Sequence, residues 1–197
     1  MCRAPFACLI GAIAALIVAS SGVGCSSRPA PYRPLTAASQ NTEAARELNT
    51  EAADLMESDP DRAEQLLREA LTADIYFGPA HNNLGVLLMQ RGELYAAANE
   101  FQWAKRVLPG HPDPRLNLGL VLERAGKIDD AIHAYRAALE VYPGYLPAIM
   151  ALTKAEVRIS DVSTETRERL ETIAFRSTDP RWTQWARSKL IKLTGEW

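Results

Sequence analysis

The sequence predicts an all-α protein: a solenoid of about four helix-turn-helix repeats, closed by one C-terminal capping helix. Two observations predict it. The first is a period. Leu84-Gly85 returns as Leu118-Gly119, 34 residues later, and the residues after each glycine recur in step. Gly92, Ala97, Phe101, Ala104 and Pro109 lie 7, 12, 16, 19 and 24 residues after Gly85, and Gly126, Ala131, Tyr135, Ala138 and Pro143 keep the same distances from Gly119. Self-similarity at such a period marks units that bury their apolar faces against one another. The second is a final amphipathic segment, residues 180–197, of the kind that covers a solenoid's exposed end.

Residues 1–25 come first in the chain and have the order of an export signal. Arg3 precedes an apolar run from Phe6 to about Ala19, and small residues lead to Cys25. The run is about 14 residues, short of the roughly 20 that span a bilayer comfortably. Its end resembles a bacterial lipoprotein signal. Val23 and Gly24 fit that motif, while Gly22 stands where an aliphatic residue is usual. The resemblance implies that Cys25 becomes the first mature residue and carries the lipid. Ser26, being other than Asp, implies sorting to the outer rather than the inner membrane, facing the periplasm. Ordinary cleavage nearby and an uncleaved anchor are the other readings. Residues 26–43 are rich in Ser, Pro, Ala and Thr and show no apolar period. They read as a disordered tether, spanning about 20–25 Å as a flexible coil.

The repeats occupy residues 44–77, 78–111, 112–145 and 146–179. In the two strongest, Gly85 and Gly119 mark close helix approach, and Gly92 and Gly126 suit the left-handed turn that ends a first helix. Small alanines let the second helix approach, Phe101 and Tyr135 fill the space between, and Pro109 and Pro143 stop it. These residues at this spacing resemble the tetratricopeptide repeat. The resemblance covers residues 44 to about 179 and implies a right-handed solenoid whose first helices line the concave side. His81 and Arg115 stand where that family often has Trp, and His81 reads as a packing residue.

The outer repeats are weaker. In the first, Ala63, Leu67 and Ala70 match Ala97, Phe101 and Ala104, but Thr50-Glu51 replaces Leu-Gly, and Pro60 opens the second helix. In the fourth, Leu152-Thr153 replaces Leu-Gly and a helix over about 164–176 carries Leu170, Ile173 and Ala174. Asp179-Pro180 then starts the cap, with Trp182, Trp185, Ala186, Leu190 and Leu193 on one face and Gly195 at its end. The tryptophans read as cap rather than ligand cage.

Composition and motifs bound the function. With 22 Lys and Arg against 24 Asp and Glu, the chain has no basic stripe for nucleic acid. All three cysteines lie in the first 25 residues, so the repeats hold no disulfide or cysteine metal site. No phosphate loop, His-Glu-x-x-His or Gly-x-Ser-x-Gly is present. The expectation is therefore no enzyme, no metal and no cofactor. On the first helices, Asn82, Val86 and Met89 align with Leu116, Leu120 and Glu123, then with Met150, Lys154 and Val157, and in the first repeat with Leu48, Ala52 and Leu55. This stripe has two readings: a partner-binding groove, since contiguous exposed apolar area marks binding, or residues packed between helices. A clamp for a peptide carboxylate is a minor alternative, with Asn83, Asn117, Lys154 and Arg158 as its set. The sequence thus points to an envelope scaffold for a protein or peptide partner. Narrower readings, from fold analogy alone, are an accessory or piloting lipoprotein of a secretion, pilus or peptidoglycan-enzyme complex. A weak enzyme, built if His81 met distant carboxylates in a pocket, and a homo-oligomer are the rivals.

Overall fold

The computed structural model describes residues 40–194. The export-like segment, Cys25, residues 26–39 and Gly195 lie outside the described residues. Among the described residues all regular structure is helical. The nine helices are α1 (Thr42–Leu55), α2 (Pro60–Ala73), α3 (Gly78–Gln90), α4 (Leu94–Val107), α5 (Asp113–Arg124), α6 (Ile128–Val141), α7 (Leu146–Arg158), α8 (Thr164–Arg176) and α9 (Pro180–Thr194). Each packs on the next. The first helices of successive pairs also touch, α1 with α3, α3 with α5 and α5 with α7, while the second helices do not approach one another comparably. This unequal spacing makes the face built by α1, α3, α5 and α7 the inner one.

Local chemistry sets the ends. α1 begins two residues before the expected repeat start at 44, because the Asn41 side chain accepts from the amide of Ala44 at 3.0 Å. Asp59 does the same for Arg62 ahead of Pro60. Three first helices close in the same way. The amides of Glu93, Lys127 and Asp161 bond back to the carbonyls of Leu88, Leu122 and Glu156 at 2.9–3.0 Å. The residue before each lies in the left-handed region: Gly92 at φ +82°, Gly126 at +78° and Ser160 at +60°. α8 opens on a capping box between Ser163 and Thr166.

The core obeys the repeat. Leu84, Phe101 and Tyr135 are fully enclosed. Phe101 lies against Gly85 and Tyr135 against Gly119, where added Cβ atoms would come within 2.7 and 2.3 Å of the rings. The outer pairs depart from this plan. In α1 the buried residues are Ala45 and Ala52, and Glu51, the counterpart of Gly85, is exposed. In the fourth pair Thr153 occupies the glycine position, fully buried, its hydroxyl donating to the Ile149 carbonyl at 2.6 Å. Thr166, Leu170 and Ile173 hold the places of Ala131, Tyr135 and Ala138, each 35 residues on rather than 34. One extra residue between α7 and α8 accounts for the degenerate look of this unit. Beyond it, Ile149, Leu170, Ile173 and Ala186 form a terminal cluster against which Trp182, Trp185 and Leu190 pack. Leu193, expected on that face, is exposed.

Candidate functional site

α5 and α7 lie side by side on the inner face, and α9 closes their far end. Between the three is a cleft of about 360 Å³. Leu116 and Leu120 come from α5, Pro147, Met150 and Ala151 from α7, and Trp182 from α9; Glu123 and Lys154 are its charged groups. Five of the eight residues expected in the groove meet here: Leu116, Leu120, Glu123, Met150 and Lys154. The α3 residues Asn82, Val86 and Met89 do not line it.

The expected apolar track is also thinner than the sequence pattern suggested. Met89 and Leu116 are only 9 % and 8 % exposed and belong to the core. Ala52 is enclosed as well, and Val86 and Leu120 are half-buried against core residues. The physical reason is the spacing of first helices: they touch one another, so side chains on this face of one are partly covered by the next. What stays open is the cleft, where Met150 is half-buried and Lys154 exposed.

Electrostatics divide the charged groups. Glu123 is engaged on both oxygens, by the Arg158 guanidinium at 3.0 Å and by the Tyr135 hydroxyl at 2.9 Å. Burial, with the bond to Glu123, pushes the Tyr135 pKa well above its ordinary value, so the hydroxyl stays a donor. Two other carboxylates at this end, Glu156 and Asp179, are also occupied. Glu156, almost wholly buried, takes Arg136 at 3.0 Å, Arg169, and the Thr166 hydroxyl at 2.8 Å. Asp179 takes Arg181 at 2.8 Å. Lys154 forms no ion pair among the described residues.

Three of the four residues of the alternative carboxylate clamp, all but Lys154, have partners within the protein. Arg158 is committed to Glu123, Asn83 donates to Asn49 at 3.0 Å, and Asn117 donates to Asn82 at 3.0 Å. The two asparagine contacts tie neighbouring first helices along the inner face. Sequence reasoning missed the part of Trp182, which read as cap. It is both: it packs edge-on to Trp185 with centroids 5.3 Å apart, and it walls the cleft and a hollow of about 370 Å³ beside it, shared by Lys154, Arg181 and Trp185. The signal was present in two tryptophans a helical turn apart, but nothing local says what stands across from them.

His81 meets a carboxylate within the packed interior. It is 0 % exposed, with Nδ1 2.7 Å from Glu100 Oε2 and Nε2 2.8 Å from the Ile75 carbonyl. The ring stacks on Trp103 at 5.8 Å, over which Arg106 sits. The group ties α3 to α4, with the His81 ring fully enclosed.

The chain's likeness to known proteins agrees with this architecture. Two sequence families, each described as tetratricopeptide repeat, match residues 54–113 and 113–145. Among solved structures, Pseudomonas aeruginosa pilF is similar with a TM-score of 0.70 and 18% identity, over 78% of this chain and 70% of that one. The first tetratricopeptide domain of Spaghetti (RPAP3), bound to the HSP90 peptide SRMEEVD, gives 0.58 and 16%, over 62% of this chain and 98% of its own. MamA 41-end from Desulfovibrio magneticus RS-1 gives 0.57 and 18%, over 65% and 72%. At these identities the likeness is one of fold. None of the curated proteins compared matches the sequence.

Proposed function

This chain is a tetratricopeptide-repeat protein, and on that premise we propose that it is a non-catalytic scaffold, held at the bacterial envelope, that binds a partner's helix or extended segment in the cleft between α5, α7 and α9. The fold itself is that of a protein-interaction scaffold. The observation that carries the site is that Leu120, Met150 and Trp182, from three helices, converge on an open hollow beside Lys154. An amphipathic helix or strand-like segment docks in such a groove by its apolar side. Burying one such side chain contributes about 1.5–3 kcal/mol, so three or four offset the ordering cost to give affinity near micromolar, about −8 kcal/mol. Tethering rests on the sequence: an apolar run ending at Cys25, then a Pro-rich stretch. Among the described residues no helix is long and apolar enough to cross a membrane.

The test pairs two changes. Leu120→Asp with Met150→Asp should remove partner capture in cells while keeping most helicity by circular dichroism, since neither side chain is fully enclosed. Retained capture by a folded double variant would refute the cleft. Cys25→Ala should release the protein from membranes and abolish incorporation of a lipid label. Equal membrane retention, with no label on the unaltered protein, would replace lipidation by an uncleaved anchor.

A further inference from the structure

The contents of the cleft also specify the partner's chemistry. Resting on the binding role just proposed, we infer that the cleft between α5, α7 and α9 takes a partner segment in which a large apolar side chain stands beside a side-chain carboxylate. The apolar side chain would enter between Leu120, Met150 and Trp182. Met150 is unbranched and adaptable, so the pocket discriminates by apolarity and size rather than by exact shape. The carboxylate is set by the balance of charge. The one acid in the cleft, Glu123, already holds Arg158 and the Tyr135 hydroxyl. The one cation, Lys154, is exposed and forms no ion pair among the described residues. A basic partner would therefore meet an unmatched like charge, and an acidic one an unmatched opposite charge.

The surroundings carry the same sign. Arg181 shares the adjoining hollow with Lys154. α9, which walls both, holds Arg181, Arg187, Lys189 and Lys192 and no carboxylate. Arg181 is matched by Asp179, next to α9, so the positive excess of α9 rests on Arg187, Lys189 and Lys192. The first pair has the opposite balance, with nine carboxylates against three arginines across residues 42–73. The acid of the partner is thus drawn to the α7–α9 end.

The test selects twelve-residue segments from a random displayed library on the full-length protein, then remakes the winners as C-terminally amidated peptides. Winners should share a large apolar residue within a few positions of Asp or Glu, and should perturb the indole emission of the unaltered protein but not of Trp182→Phe. Amidation should leave binding intact, which assigns the carboxylate to a side chain; loss on amidation would overturn that assignment. Lys154→Glu, checked for unchanged helicity, should weaken the acidic winners about fivefold, as for an exposed pair, and favour their Lys-substituted versions. Winners that bind at Leu120 and Met150 without any acid, indifferent to Lys154→Glu, would overturn this inference and leave the cleft standing. Winners unaffected by Leu120→Asp with Met150→Asp, or no enrichment at all, would overturn both.

Discussion

At Gly119 a single hydrogen in place of a side chain decides whether α5 can reach α6. An added Cβ would stand 2.3 Å from a ring carbon of Tyr135, which is itself fully enclosed. Gly119→Leu should therefore cost about 3 kcal/mol or more, seen as a large fall in melting temperature. Gly110→Ala is the control: nothing lies within 4 Å of the added atom, and the melt should not move. Equal melts for both would mean the repeat frame is wrong. Ser160 poses the reverse case. It holds the left-handed turn position that Gly92 and Gly126 hold elsewhere. A side chain there costs about 1 kcal/mol, so Ser160→Gly should raise the melting temperature. An unchanged or lower value would show that the serine turn is already relaxed. The glycines were legible because each is demanded by local geometry. Ser160 was not, because a serine in a turn looks like any other.

The helices themselves were readable where the period was exact. Gly, Ala, aromatic and Pro recur through α3 to α6, and the chain folds there as the pattern says. The fourth pair resisted reading because one extra residue ahead of α8 moves its core positions to Thr166, Leu170 and Ile173. A fixed frame of 34 then lands on Arg169, which instead reaches Glu156. α9 was expected as a lid, and it covers Ile149, Leu170 and Ile173. Ending the chain after Asp179 should uncover that cluster. Amide exchange should speed up in α7 and α8 while α3 and α4 stay protected, because stability in a repeat array is largely a sum over neighbours. Uniform loss of protection along the whole chain would show instead that the array folds as one unit.

Across the whole molecule, the pattern located the inner face but overstated how much of it is open. Helical spacing identifies residues on one side; it does not report how closely the next helix approaches. Met89 and Ala52 were therefore lost to the core and Leu116 was left nearly covered at the cleft floor, while Leu120, Met150 and Lys154 remained at the cleft. Trp182 joined them only through the fold, since α9 lies more than fifty residues beyond α5 in sequence. The charge layout has the same origin: acid gathers on α1 and α2 and base on α9, a polarity visible only when the helices are set in order. Recognition at this cleft can be probed by placing a photo-crosslinking amino acid, one site at a time, at Lys154, at Met150 and at Tyr95, which is 84% exposed on α4. In cells, one shared crosslinked partner is expected from Lys154 and Met150 and none from Tyr95. A partner captured from Tyr95, with nothing from the two cleft positions, would place recognition elsewhere and contradict the cleft.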